Sequence, residues 1–171
     1  MKVDYLFNIV LVGGPNTGKS AMMSKYVSNK FTNHNESTIG LDFSTKIFQN
    51  VKLVIWDLSG NAKYQLICQK YYRGAHGALV FIDLTDHNSM NSIDEWIKSI
   101  YEEHAMPMML IGTKSDLVNC RQISYEEAYK VAKMYGIEYV ETSSANGHNI
   151  IEVFELMVYK ILNKSGINKV K

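Results

Sequence analysis

The chain predicts an α/β fold: a mostly parallel six-stranded sheet with one antiparallel edge strand and helices on both faces. Three observations predict it. Short apolar runs alternate with helical stretches along most of the chain, two β-prone runs flank the tight pair Gln49-Asn50, and the first apolar run leads through a glycine-rich loop straight into a helix. At 171 residues the chain is close to the roughly 150 of a typical domain, so residues 1–171 are read as a single domain.

Tyr5 to Val12 (YLFNIVLV) is continuously apolar, as a strand buried on both faces must be. Lys19 to Val27 contains neither glycine nor proline and begins directly after a glycine turn, which predicts a helix. Leu41 to Gln49 and Val51 to Asp57 form the hairpin that places an antiparallel strand at the sheet edge. Gly77 to Leu84 (GALVFIDL) is a buried strand, Ser89 to Glu103 a helix and Met108 to Gly112 another strand. Ser124-Tyr125-Glu126-Glu127 has the spacing of a capping box, and the helix it opens closes at Gly136. Ile137 to Glu141 is the last strand. Asn149 to Leu162 is the last helix, with apolar residues at Ile150, Ile151, Val153, Phe154, Met157, Val158 and Ile161.

Composition limits the function classes. Apolar residues make up 46% of the chain, enough for a real core, and 18 Lys plus Arg against 17 Asp plus Glu leave a net charge of +1. That balance argues against a nucleic-acid surface and against membrane binding by this chain unaided. The longest apolar stretches, Gly77 to Ile82 and Met106 to Gly112, fall well short of the roughly 18 residues of a membrane span, and the opening MKVDYLFN carries an acid inside any leader. A cytoplasmic monomer is expected. Cys68 and Cys120 have no metal spacing and read as free thiols of a reducing compartment.

Gly13-Gly14-Pro15-Asn16-Thr17-Gly18-Lys19-Ser20 matches the phosphate-binding pattern G-x-x-x-x-G-K-[ST], in the strand, loop and helix context the motif requires. Glycines let the backbone wrap phosphate oxygens and aim N–H groups inward, the helix N-terminus adds partial positive charge, and Lys19 supplies a point charge. Ser20 is placed to ligate magnesium. A loop of this kind leaves ATPases, kinases and GTPases open. Base choice depends on later strand ends, and the strand Met108 to Gly112 runs into Thr113-Lys114-Ser115-Asp116, which resembles the N/T-K-x-D guanine signature of small GTPases. A carboxylate there can accept two hydrogen bonds from guanine, whereas adenine would leave it unpaired.

The chain resembles the Rab branch of the Ras superfamily over nearly its whole length. Thr38-Ile39-Gly40-Leu41-Asp42-Phe43 resembles the Rab switch I sequence TIGxDF, Lys52-Leu53-Val54-Ile55-Trp56-Asp57 resembles KLxIWD, and Tyr71-Tyr72-Arg73-Gly74-Ala75 matches YYRGA. The resemblance implies a P-loop NTPase fold binding GTP or GDP with Mg2+. It implies nucleotide contacts from Gly13, Gly14, Pro15, Asn16, Thr17, Gly18, Lys19, Ser20 and Ala21, from Phe31, Thr38 and Gly60, and from Thr113, Lys114, Asp116, Leu117, Ser143, Ser144 and Ala145. Ser20, Thr38 and Asp57 would serve the metal, and Lys19, Thr38, Gly60 and Asn61 the hydrolysis. Phe43, Trp56 and Tyr71 fall on the aromatic triad that Rabs show to effectors, although all three would equally suit a core. The family also implies an exchange factor, a GTPase-activating protein and a role in vesicle or membrane trafficking. An alternative is an interaction module that stays GTP-bound.

The sequence departs from the family at four places. WDTAGQERF has glutamine where this chain has Asn61, Pro15 occupies a γ-phosphate position without an N–H to give, the lysine of ETSAK is Ala145, and the hairpin between Phe43 and Trp56 is short. The end, Asn163 to Lys171, has no cysteine to prenylate, so membrane association is expected only through a tail beyond this sequence.

Overall fold

The computed structural model describes residues 3–31, 38–103 and 105–166, so residues 167–171 of the cysteine-free end lie outside it. Six strands, β1 (Tyr5–Gly13), β2 (Leu41–Phe48), β3 (Val51–Leu58), β4 (Gly77–Asp83), β5 (Met108–Thr113) and β6 (Glu138–Glu141), form one sheet in the order β2-β3-β1-β4-β5-β6. Only the β2–β3 pair is antiparallel; the other four pairs are parallel. The turn comes where expected, with Gln49 in the left-handed region at φ 53°.

The helices are α1 (Lys19–Ser28), α2 (Gln65–Tyr72), α3 (Ile93–Glu103), α4 (Tyr125–Met134) and α5 (Ile150–Lys164). Alternation along the strands sorts them into two layers. Phe7, Ile9 and Leu11 of β1, with Leu79 and Phe81 of β4, face Met22 and Tyr26 of α1 and Phe154, Met157 and Ile161 of α5. Val10, Val12, Val80 and Ile82 face the other way, toward Tyr72 of α2, Trp96 and Ile97 of α3 and Ala128 and Ala132 of α4. β4 is therefore buried along its whole length, which is why it reads as an unbroken apolar run. Val51, Leu53 and Ile55 of β3 join the α1 and α5 layer, while Lys52, Val54 and Trp56 on its opposite face are only half-buried. No helix among the described residues is long and apolar enough to cross a membrane.

Three local expectations change. Helix α2 has no counterpart in the sequence pattern: it has no side-chain N-cap, it ends on Arg73 rather than glycine, and of its described side chains only Cys68 and Tyr72 are buried in the α3 layer. The stretch read as a helix from Ser89 begins instead with a 3-10 turn over His87–Met90, capped by the Asp86 carboxylate on the Asn88 N–H, and α3 follows at Ile93. Ser124 caps α4 by accepting from the Glu127 N–H at 3.2 Å, but the Glu127 carboxylate turns to His87 Nε2 at 2.8 Å instead of completing the box.

Candidate functional site

The phosphate loop leaves β1 at Gly13 and enters α1 at Lys19, at the carboxyl end of the parallel strands where ligands of such sheets bind. Gly18, the N-cap, has φ 87°, and a Cβ there would press on Thr113 at 3.3 Å, so both conformation and space require glycine. Because Gly18 offers no side-chain acceptor and the first turn holds no acid, the α1 N-terminus keeps its donors for an external anion. The Thr17 hydroxyl donates to Gly14 O at 2.9 Å and closes the loop. Lys19 is 5% exposed and lies across it, its Nζ donating to Gly13 O at 3.0 Å and Gly14 O at 2.7 Å. Burial pushes its ammonium down to about 8, a fall that the neighbouring Asp57 charge opposes. Pro15 and Asn16 are exposed at the tip, and Ala21 is half-buried in the first turn of α1.

Next to the lysine, three residues from distant parts of the chain converge. Ser20 Oγ donates to Asp57 Oδ2 and lies 2.9 Å from Thr38 Oγ1, which reaches the same carboxylate oxygen at 3.2 Å. Asp57 is 1% exposed, and burial raises its pKa against the pull of Ser20, Lys19 and Thr38. Its Oδ1 is buried with no hydrogen-bond partner among the described residues, a costly arrangement unless a cation completes it. Two hydroxyls and one carboxylate are hard oxygen donors, and the described residues contain no cluster of three or more His, Cys, Asp or Glu. The set fits magnesium shared with phosphate oxygens.

On the base side, Thr113 Oγ1 donates to Thr17 O at 2.8 Å, tying β5 directly to the phosphate loop. Ser143, fully buried, donates to Asp116 Oδ1 at 2.5 Å, and Ser115 N–H reaches Thr142 O at 3.1 Å, so the Thr113–Asp116 and Ser143–Ala145 loops are held together. Asp116 and Leu117 are exposed, Ser144 is half-buried, and Ala145 is exposed. Phe31, three residues past α1, is 45% exposed.

Beyond β3 the chain turns back onto the phosphate loop. A Cβ on Gly60 would lie 2.3 Å from the Gly14 carbonyl carbon and 2.4 Å from Pro15 N, so only glycine fits against this backbone. Asn61 is exposed and its Oδ1 accepts from the Lys63 N–H at 3.0 Å, opening the 3-10 turn over Ala62–Tyr64. Its carboxamide oxygen is thus engaged locally.

Phe43, Trp56 and Tyr71 stand in one row, with ring centroids 5.1 Å and 4.9 Å apart, running from β2 and β3 to helix α2 at the edge of the α2 and α3 layer. Phe43 is 54% exposed, while Trp56 and Tyr71 rest half-buried on the core edge. Asn8, which belongs to no motif, holds the row from behind: its Oδ1 accepts from Trp56 Nε1 at 3.3 Å and its Nδ2 donates to Gly74 O at 3.1 Å. Asp83 and the Arg121–Glu141 pair likewise lie outside any sequence motif. Arg121 Nη1 meets Glu141 Oε2 at 3.1 Å, bracing the two base-side loops. Position at the carboxyl end of a buried strand was the available signal for Asp83.

A sequence profile of the Ras family matches residues 8–163. The chain is 37% identical to Ras-related protein RABA2a of Arabidopsis thaliana over 175 residues, covering 96% of this chain and 80% of that protein. It is 37% identical to Ras-related protein Rab-19 of Xenopus laevis over 169 residues, covering 95% and 79%. It is 34% identical to the GTP-binding protein ypt1 of Schizosaccharomyces pombe over 171 residues, covering 96% and 84%.

Proposed function

The chain belongs to the Ras family of small GTPases and to its Rab branch, and we propose that it is a magnesium-dependent guanine-nucleotide switch in vesicle or membrane trafficking that hydrolyses GTP slowly. The observation that carries this reading is the meeting of Ser20, Thr38 and Asp57 beside the buried Lys19 ammonium, with one carboxylate oxygen left unpartnered among the described residues. Lys19 and the uncapped first turn of α1 hold the phosphates, and Asp116 reads the base. Ser20, Thr38 and Asp57 hold magnesium, which when bound offsets phosphate charge. Thr38 and Gly60 fasten the two switch loops to the terminal phosphate, and hydrolysis releases them. Effectors read the Phe43, Trp56 and Tyr71 row in the fastened state, an exchange factor resets it and a GTPase-activating protein ends it. One observation favours a longer-lived GTP state, up to a constitutively GTP-bound module: the Asn61 carboxamide is engaged by its own turn.

Nucleotide-free protein loaded with fluorescent GDP tests the assignment. Unlabelled GTP and GDP are expected to displace the probe at concentrations roughly 10³-fold or more below ATP. Chelating magnesium, or changing Ser20→Asn, is expected to speed probe release at least about tenfold, a loss of about 1.4 kcal/mol. ATP competing equally with GTP would overturn the guanine reading, and release indifferent to chelator would overturn the metal assignment.

Gly60→Ala supplies a second check. The added methyl has backbone on three sides, Gly13 O lying at 2.5 Å, so the loop must withdraw from Gly14 and Pro15. GDP retention should stay near the parent's while single-turnover GTP hydrolysis falls about tenfold. Equal rates would show that Gly60 does not act at the phosphate.

A further inference from the structure

Asp83 ends β4 in register with Thr113 and is 7% exposed. All its polar atoms are committed. Its N–H donates to Ser89 Oγ at 3.0 Å and its carbonyl accepts from the same hydroxyl at 3.1 Å. Oδ1 accepts from the Thr85 N–H at 2.8 Å and the Thr85 hydroxyl at 2.7 Å. Oδ2 accepts from Lys114 Nζ at 2.5 Å. This carboxylate is therefore a rigid fixture, and its one long-range side-chain partner is the lysine of the guanine signature.

Lys114 is held in an unusual shape. Its φ of 61° places a residue with a long side chain in the left-handed region, which persists only where surroundings enforce it. Its carbonyl accepts from the Leu117 N–H at 3.0 Å, so the strained residue opens the turn that carries Asp116. Thr113, just before it, is bound to Ile82 O at 3.0 Å, next to Asp83, and Leu84 N–H reaches Thr113 O at 3.2 Å. The end of β4 thus grips this turn through backbone on both sides of Asp83 and through the ion pair itself. With Asp83 neutralised, the nearest carboxylate along the chain to the Lys114 ammonium is Asp116, two residues away, and an ammonium there competes with guanine for the same oxygens.

We propose that Asp83 is a positioning residue of the base site: by holding the Lys114 ammonium it fixes the turn that presents Asp116 and keeps that carboxylate free for guanine. The proposal rests on the guanine-nucleotide reading above. Its signature is base-specific retention that depends on Lys114.

Release of fluorescent GDP is measured by stopped flow for the parent, Asp83→Asn, Lys114→Ala and the double variant, with Thr85→Val as control and thermal melting of each. Asp83→Asn keeps an acceptor for Thr85 and loses the charge. It is expected to release GDP about tenfold faster, as loss of a hydrogen bond between charged groups does. In the Lys114→Ala background the same change is expected to add less than about twofold. Thr85→Val, which removes one hydroxyl donor to Asp83 Oδ1 but leaves the charge on Asp83 and the Oδ2 contact to Lys114 in place, is expected to stay within about twofold of the parent. Should Asp83→Asn not fold, the same cycle is run with Asp83→Glu, which displaces the carboxylate by one methylene. Parent-like release in the Asp83 variant, full additivity with Lys114→Ala, or equal acceleration by Thr85→Val overturns the positioning role alone. A parent that holds fluorescent ADP as well as fluorescent GDP overturns the guanine reading and this proposal with it.

Discussion

Asp116→Asn is expected to lower affinity for GTP by roughly 10⁴-fold and to turn preference toward xanthine nucleotides. The carboxylate offers acceptors to both the ring N–H and the exocyclic amine of guanine. An amide keeps one acceptor and replaces the other by a donor, which faces the amine with like polarity and suits the carbonyl that xanthine carries there. The Ser143 hydroxyl, 2.5 Å from Asp116 Oδ1, can donate equally to an amide oxygen and so fixes which end of the asparagine turns outward. Because Asp116 is exposed, folding stability should hardly change. Competition of fluorescent GDP by GTP and by xanthosine triphosphate measures the switch. A variant that still prefers GTP would remove Asp116 from base reading.

The sheet was legible because burial on both faces leaves no choice of residue. β4 and β5 are apolar at nearly every position, and such runs between glycine-marked turns admit little besides interior strands. The phosphate loop was legible because its glycines answer to conformation and space within eight consecutive residues. Helix α2 was not legible, since its stability comes from Tyr72 and Cys68 meeting α3 rather than from caps or propensity. The hydroxyl and carboxylate cluster lay between these cases: Ser20, Thr38 and Asp57 are scattered over 37 positions, and only the family resemblance joined them before the fold did. The Asp83–Lys114 and Asn8–Trp56 contacts span 31 and 48 positions, and neither residue pair belongs to a local pattern. The row of Phe43, Trp56 and Tyr71 shows why burial could not be read from residue type. Aromatics equally suit a core, and here Trp56 and Tyr71 rest half-buried on the core edge while Phe43 on the edge strand stays exposed.

Replacing Asn61 by Gln is expected to speed single-turnover GTP hydrolysis by up to about 10²-fold. In the parent the Asn61 Oδ1 accepts from the Lys63 N–H at 3.0 Å, and Tyr64 N–H returns to Asn61 O at 2.9 Å, so the side chain closes a ring that its short length favours. Even released, the amide would stop about 1.5 Å, one C–C bond, short of where a glutamine amide reaches. The added methylene does both things: it enlarges the ring, weakening the local bond, and it extends the carboxamide toward water at the γ-phosphate. Loss of the cap costs the turn about 1 kcal/mol, small beside a hundredfold rate. Pro15 N lies where a Cβ on Gly60 would come within 2.4 Å, so the proline bounds the same space and holds the gain below the full factor. Asn61→Ala completes the comparison: an asparagine already committed to its turn leaves alanine near the parental rate, whereas glutamine exceeds both. Phosphate release is followed at saturating magnesium and equal nucleotide occupancy. A glutamine variant no faster than the parent would move the limiting departure from Asn61 to Pro15 or to a residue supplied by a partner.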